Sequence, residues 1–458
     1  MEEQLAALAA DVEALKAAAA VTNTMFAETY YYLTIPLMIL IHVGFLGYEM
    51  GATRHKNVLA SGIKNILAFA FCCPGFYWIG WFVYWAWTPG LIPTAESWQT
   101  GLDFANPVGE VMGPFLGDNA TGVFWGAFTM FAATTASIMS GAVIERIRVV
   151  GFVICAFVLG SIAWVVAAAW GWSAAGWLVT DWGYHDFGAA GLVHAVAGFF
   201  ALGVLINLGP RIGKFNPDGT ANHLAGHSLP IVLIGLMLII AGFWGFLMAC
   251  VIVPGEGWSW FSGTMATIYG TPITLSALAF NILMGFAGGI IGAWMLTRDP
   301  FWMMSGALGG IISTASGLDL WHPAQAFAIG FIGASMMKPS YNFFEKLGID
   351  DAVGAVTIHG TLGIWGVMAV GIFASGYPAL QGDPGVITTS FVGQLVGAIV
   401  MFLLGFVPGY VLSYILKMCG LLRVGEAAEV AGLDMTKVPS QAYPEGIGPS
   451  LRATEHPR

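Results

Sequence analysis

Charge is scarce in this chain. Only 9% of its 458 residues are Asp, Glu, Lys or Arg, against roughly 25% in soluble domains. So few charges cannot present a surface of this size to water, which excludes a soluble protein. The net charge of −10 speaks against nucleic acid as a partner. Strict apolar–polar alternation is missing too, which excludes a lipid-facing barrel. The apolar runs are about 20 residues long and point to transmembrane helices, because backbone in lipid must satisfy its own hydrogen bonds. Cysteine is sparse and unpatterned. Cys72, Cys73, Cys155 and Cys250 lie inside apolar runs and Cys419 follows one, so neither a zinc site nor a disulfide framework is expected. No nucleotide-binding motif is present, which excludes a pump.

What is there is a regular succession of apolar spans. Eleven are expected, centred near Leu40, Phe76, Phe131, Ile162, Phe200, Leu238, Met284, Gly310, Ile329, Val367 and Val400. The loops after the even-numbered spans hold no Lys or Arg; they carry Glu96, Asp103, Glu110, Asp118, Asp181, Asp186, Glu256, Asp319 and Asp383. The loops after the odd-numbered spans hold Arg54, Lys56, Lys64, Arg146, Arg148, Arg211, Lys214, Arg298, Lys338 and Lys346, and the tail holds Lys417, Arg423, Lys437, Arg452 and Arg458. Of the sixteen basic residues only Lys16 breaks the alternation. The positive-inside rule then puts the N-terminus outside and the C-terminus in the cytoplasm, for a multi-pass protein of the inner (cytoplasmic) membrane.

Three regions follow: residues 1–22, a membrane domain over 23–418, and a cytoplasmic tail over 419–458. In the first, Leu5, Leu8, Val12, Leu15 and Ala19 are spaced 3-4-3-4, a heptad seam on strong helix formers. An acidic start and Asp11, Glu13 and Lys16 exclude a secretory signal. Two readings stand for it: an extramembrane helix that zips subunits into a coiled coil, or an Ala-rich tail that frays. In the membrane domain, Gly285–Gly288–Gly289–Gly292 and Gly306–Gly309–Gly310 predict tight helix interfaces.

Spans 5 and 10 share a pattern. Asp186-FGAAGLV-His194 is followed by Gly198, and Asp351-AVGAVTI-His359 by Gly363. With five spans per copy, the copies run in opposite orientations, an inverted repeat of the transporter kind. The fold class expected is an all-α membrane protein of eleven transmembrane helices, an inverted 5+5 repeat plus an eleventh helix. Each histidine lies eight residues past its Asp, or ~12 Å along a helix, near mid-membrane in a core ~30 Å thick. Two imidazoles that bond each other avoid an unpaired polar group in lipid and leave outward nitrogens that match ammonia or water. Two histidines with no third ligand make an incomplete metal site, and no cofactor is expected. His42, in span 1, reads as a partner for a neighbouring helix. Asp186 and Asp351 read as N-terminal caps; Asp186, on the outer side, reads equally as a group that concentrates cations.

Taken in order, the segments ATRHKNVL (Ala52–Leu59), FAATTASIMSGAVIERIR (Phe131–Arg148), DFGAAGLVH (Asp186–His194), HSLPIVLIG (His227–Gly235), IDDAVGAVTIHGTLG (Ile349–Gly363), LRVGEAAEVAGLD (Leu422–Asp434) and AYPE (Ala442–Glu445) resemble the Amt/Rh family of ammonium transporters. The resemblance runs from about Tyr30 to Glu445. It implies a homotrimer, not an enzyme, with one pore per subunit, and a PII-type signal protein as a partner at the cytoplasmic face. It implies that His194 and His359 are the twin histidines of the pore, and that Phe131 and Phe246 are its stacked gate. Trp172, Cys250 and Asp186 fall at the outer ammonium site. Departures are visible. Cys250 stands where a serine is usual, Leu247 where an Asn is common, Gly354 in place of an acid and Val438 in place of a tail histidine. Trp172 is the best match to the recruiting tryptophan, although the segment to Asp186 is longer than usual. The expected function is ammonium or ammonia conduction. The competing reading is a sensor that binds ammonium with little or no flux, and a third is passage of a small neutral gas.

Overall fold

The computed structural model describes residues 2–112, 119–252, 265–377 and 387–444. Asp118, Glu256, Asp383, Arg452 and Arg458, used above to orient the chain, lie outside these residues, as does Glu445. The described chain is helical almost throughout. Its first half comprises α1 (Glu2–Ala52), α2 (Val58–Gly75), α3 (Trp81–Ala86), α4 (Ala95–Ala105), α5 (Asn119–Ala142), α6 (Val149–Val158), α7 (Trp164–Gly171), α8 (Trp177–Trp182) and α9 (Val196–Leu208). Its second half comprises α10 (Leu229–Ala249), α11 (Leu275–Thr297), α12 (Pro300–Ala315), α13 (Pro323–Lys346), α14 (Leu362–Phe373) and α15 (Phe391–Met418), then α16 (Glu426–Ala431) and α17 (Leu433–Lys437) in the tail. A small antiparallel sheet, β1 (Val251–Ile252), β2 (Met265–Thr267) and β3 (Pro272–Ile273), departs from the all-helical expectation; Val251 faces Thr267 and Met265 faces Ile273.

Among the described residues, nine helical stretches are long and apolar enough to cross a membrane. They fall at expected spans 1 to 7, 10 and 11. The eighth and ninth positions hold α12, of 16 residues, and α13, which carries Lys338, Glu345 and Lys346. Leu233, Ile234 and Met237 of α10, Leu283, Ile290 and Trp294 of α11, and Leu395, Ile399 and Leu403 of α15 are exposed. Apolar helix faces of this extent suit lipid or a neighbouring subunit, not water.

Residues 2–52 form one unbroken helix, about 77 Å long at 1.5 Å per residue, so the heptad segment is not a separate element. Its Leu5, Leu8, Val12 and Leu15 are all exposed. Lower down, α1 packs along α10 through glycines. A Cβ on Gly235 would stand 2.2 Å from the Tyr48 amide nitrogen and 2.6 Å from the Gly44 oxygen. The glycine runs of α11 and α12 interlock as expected: a Cβ on Gly289 would stand 2.1 Å from the Gly306 oxygen. Such approaches are available only to residues without a side chain.

The basic loops gather at one end, held by ion pairs. Arg211 binds Asp350 through Nε–Oδ2 and Nη2–Oδ1, each at 2.8 Å. Arg54 pairs with Glu145, and Arg146 donates to the Asp350 carbonyl at 2.5 Å. Burial alone would raise the Asp350 carboxyl, but Arg146 and Arg211 outweigh it and hold it well below the usual carboxylate range. The tail docks here. Asp434 accepts from the Leu59 and Ala60 amides at 3.1 and 2.9 Å, and Glu429 pairs with Arg423 at 2.8 Å. Lys64, expected in a loop, is instead buried within α2.

Candidate functional site

Both repeat histidines sit on single π-helical turns, Ala190–Ala195 and Val356–Thr361. Such turns re-aim side chains out of the ordinary helical register. His194 and His359 are buried, and their Nδ1 atoms lie 3.0 Å apart. The rings are nearly coplanar and meet edge to edge, with centroids 5.2 Å apart and planes 25° apart. An Nδ1–Nδ1 bond needs one donor and one acceptor. If His194 donates, its own Nε2 is an acceptor and the Nε2 of His359 is a donor; exchange of tautomers reverses both. The pair therefore offers one donor and one acceptor to a small polar guest. The Nε2 of His194 is buried with no hydrogen-bond partner.

The sequence pattern explains how the rings come together. Asp186 accepts from the Gly191 and Leu192 amides, each at 2.9 Å; Asp351 accepts from the Gly354 and Val356 amides at 3.0 and 2.7 Å. Each carboxylate satisfies N–H groups that a helix start leaves open. Three residues past each Asp the backbone is left-handed, at Ala189 (φ 62°) and Gly354 (φ 78°). The two repeat glycines then let the segments touch. A Cβ on Gly198 would stand 2.2 Å from the Gly360 nitrogen, and one on Gly363 would stand 2.4 Å from the Ala190 oxygen.

Toward the acidic end the site is aromatic. Phe246 lies 5.9 Å from the His194 ring, and Phe131 lies 4.5 Å from Phe246. The two phenylalanines meet edge to face, at 76°. Trp172 packs edge-on to Phe131 at 4.9 Å and donates from Nε1 to the Phe187 carbonyl at 3.2 Å. Cys250, at the end of α10, turns its thiol onto the Phe246 carbonyl at 3.3 Å. Asp186 is fully buried; besides the two amides it accepts from Tyr184 at 3.1 Å and Ser316 at 2.6 Å. With four donors on its two oxygens, its surroundings fit the capping reading.

Toward the basic end, Phe45 lies 6.3 Å from the His359 ring. Beneath His359 is a cavity lined by Phe45, Glu49, Gly141 and Val353 among others, with room for about one water-sized molecule. Val353 also lines a larger vestibule of about 440 Å³ bordered by Arg211, Lys214, Trp302, Lys338 and Glu345. Among the described residues there is no cluster of three His, Cys, Asp or Glu side chains placed to hold a metal.

The model of the Ammonium Transporter Family matches residues 29–443. The chain belongs to the ammonium transporter family. Ammonium transporter Amt2 of Methanocaldococcus jannaschii is 30% identical over 433 residues, covering 93% of this chain and 94% of that protein. Amt2 of Archaeoglobus fulgidus is 29% identical over 434 residues, covering 90% and 86%. Among solved structures, a sensor Amt protein aligns with a TM-score of 0.76 at 24% identity, over 91% of this chain and 99% of that one. Candida albicans Mep2 aligns with a TM-score of 0.70 at 19% identity, over 93% and 92%. These structural likenesses establish a shared fold.

In this ammonium transporter family member, sequence reasoning missed several groups around the site. Phe243 lies 5.9 Å from His194, and Tyr184 and Ser316 close on Asp186. Phe243 and Ser316 come from distant parts of the chain, whereas Tyr184 lies two residues before Asp186. Glu49 was legible: an acid inside an apolar span is a functional candidate by its cost alone. His42 bonds Ser137 of α5 at 3.1 Å, as a partner for a neighbouring helix.

Proposed function

We propose that this chain conducts ammonium across the cytoplasmic membrane and that neutral ammonia is the species that passes His194 and His359. The single observation carrying this reading is the buried imidazole pair at 3.0 Å. An ion at the centre of a bilayer costs roughly 3 kcal/mol or more, and the described surroundings of the pair offer it rings rather than carboxylates on the acidic side. Ammonium reaches the acidic, outer end beside Trp172, Phe131, Phe246 and Cys250. The edge-to-face phenylalanines block a hydrated ion, and ring faces favour a bare cation. The proton leaves, ammonia exchanges hydrogen bonds with the imidazole pair, and it is reprotonated at the basic end.

The same reading makes α12 and α13 membrane-crossing, for eleven spans in two inverted sets of five with an eleventh helix, N-terminus outside. It makes the assembly a homotrimer, with residues 1–22 projecting beyond the bilayer, and makes the docked tail at 419–458 the surface where a PII-type protein would bind. Asp186 supports the outer site by fixing the turn that leads to His194.

Ammonium-evoked current and methylammonium uptake in reconstituted vesicles test the reading. Flux above protein-free vesicles is expected, and His194→Ala or His359→Ala changes its rate or ion selectivity while the assembly persists. The sensor reading has one observation in its favour: the Cys250 thiol points onto a carbonyl, leaving the outer site a poor donor–acceptor. Ammonium binding without flux would select it.

A further inference from the structure

Glu49 of α1 stands one heptad below His42, its carboxyl buried on the wall of the cavity beneath His359. Its Oε1 accepts from Ser140 of α5. Around it are three buried polar atoms with no hydrogen-bond partner: its own Oε2, Nζ of Lys64 and Nδ2 of Asn65. The Nζ of Lys64 lies 5.9 Å from the Phe152 ring, and the charges of Lys64 and Glu49 act on each other. Gly141 makes room for the carboxylate: a Cβ there would stand 3.4 Å from Oε1 and 2.7 Å from Val353 Cγ2. Val353 is the wall shared with the vestibule. The cavity beneath His359 thus has the Glu49 carboxyl on its wall and shares Val353 with the vestibule at the basic end.

We propose that Glu49 is the inner proton-exchange site, the group that returns a proton to ammonia emerging past His359. The inference rests on the conduction reading above and names the group that ends the neutral passage. The step balances within the cavity. The ammonia lone pair takes the carboxyl proton, an N–H bond forms, the O–H bond breaks, and ammonium and carboxylate remain. Ammonium leaves past Val353. Lys64 stabilises the carboxylate until a proton from vestibule water restores the acid. A buried acid beside a site sized for one small molecule suits ammonia or a primary amine, whose lone pair accepts the proton. The alternative assigns Glu49 only to balancing the buried Lys64 charge.

Vesicles reconstituted with the full chain separate the two. Glu49→Gln is expected to lower ammonium-evoked current and methylammonium uptake about tenfold or more, and Glu49→Asp to recover part of the loss. The double variant Glu49→Gln/Lys64→Gln leaves no lone buried charge. It is expected to match the wild type in assembly size and thermal stability yet remain defective in flux, and it carries the test should Glu49→Gln alone fail to assemble. Wild-type flux in Glu49→Gln, or recovery of flux in the double variant, would overturn the inference while leaving conduction intact. A wild-type protein without flux would overturn both.

Discussion

The two histidine-bearing segments follow one plan with different materials. In each, an Asp caps the turn, a left-handed residue follows three positions later, a π turn carries the imidazole, and a glycine lets the segments meet. The residue before each cap also anchors its end: His185 bonds Asp319 at 3.1 Å at the acidic end, and Asp350 holds Arg211 at the basic end. The materials diverge at two points. Asp186 draws on Tyr184 and Ser316 as well as amides, whereas Asp351 bonds the Gly354 and Val356 amides. The left-handed position is glycine in one copy and alanine in the other. The comparison teaches that the geometry of the pair is set by backbone, and that side chains around it are free to differ.

Four changes would break or sharpen that comparison. The largest effect is expected from Asp350→Asn, which takes a counter-charge from buried Arg146 and leaves Arg211 only Glu145, 3.9 Å away, and costs about 3–5 kcal/mol, read as loss of thermal stability in detergent. The same site gives a pH dependence. Because the folded Asp350 carboxyl is held below its ordinary value, its stabilisation is complete above the unfolded pKa of about 4 and disappears as pH falls through the lower, folded one. Acid unfolding curves of the wild type should therefore steepen below about pH 4, and those of Asp350→Asn should not. Next, Gly198→Ala or Gly363→Ala forces the two segments apart. About 1–3 kcal/mol of stability is lost by overpacking, and flux or ion selectivity changes as in His194→Ala or His359→Ala; unchanged flux would show that the pair tolerates separation. Third, Asp186→Ala should cost about 1–3 kcal/mol more than Asp351→Ala, because it also strands the Tyr184 and Ser316 hydroxyls; equal losses would mean Tyr184 and Ser316 contribute nothing. The smallest effects are opposite in sign. Ala189→Gly relieves a left-handed alanine and stabilises by about 1 kcal/mol, while Gly354→Ala destabilises by more than that, because its Cβ would also stand 2.9 Å from the Trp302 ring, measurable as paired shifts in melting temperature.

Much of the site was legible in the residues. The eight-residue spacing from Asp to His and the glycine four residues on are local, and the structure uses each of them at the place the pattern marks. Phe131 and Phe246 do come together, but their edge-to-face angle depends on Trp172 and Phe128, which wedge against Phe131 at 4.9 and 5.7 Å. Ser316 was not legible as a partner of Asp186, since it lies 130 positions away. Lys64 misled because the charge rule counts positions along the chain, not depth; α2 simply begins earlier than its apolar centre suggests.

By itself, the sequence determined that most of the surface faces something other than water, which ends carry positive charge, and that two like segments each carry an imidazole eight residues past an aspartate. Hydropathy, charge and short repeats are properties of neighbours in the chain, so one sequence contains them. Only the tertiary structure decided that the first 51 helical residues are continuous, that the two Nδ1 atoms meet, and that Glu49 faces the cavity below them. Those facts depend on where distant backbones touch, and in this protein the touching surfaces are glycines, which leave no side chain in the sequence to announce the contact.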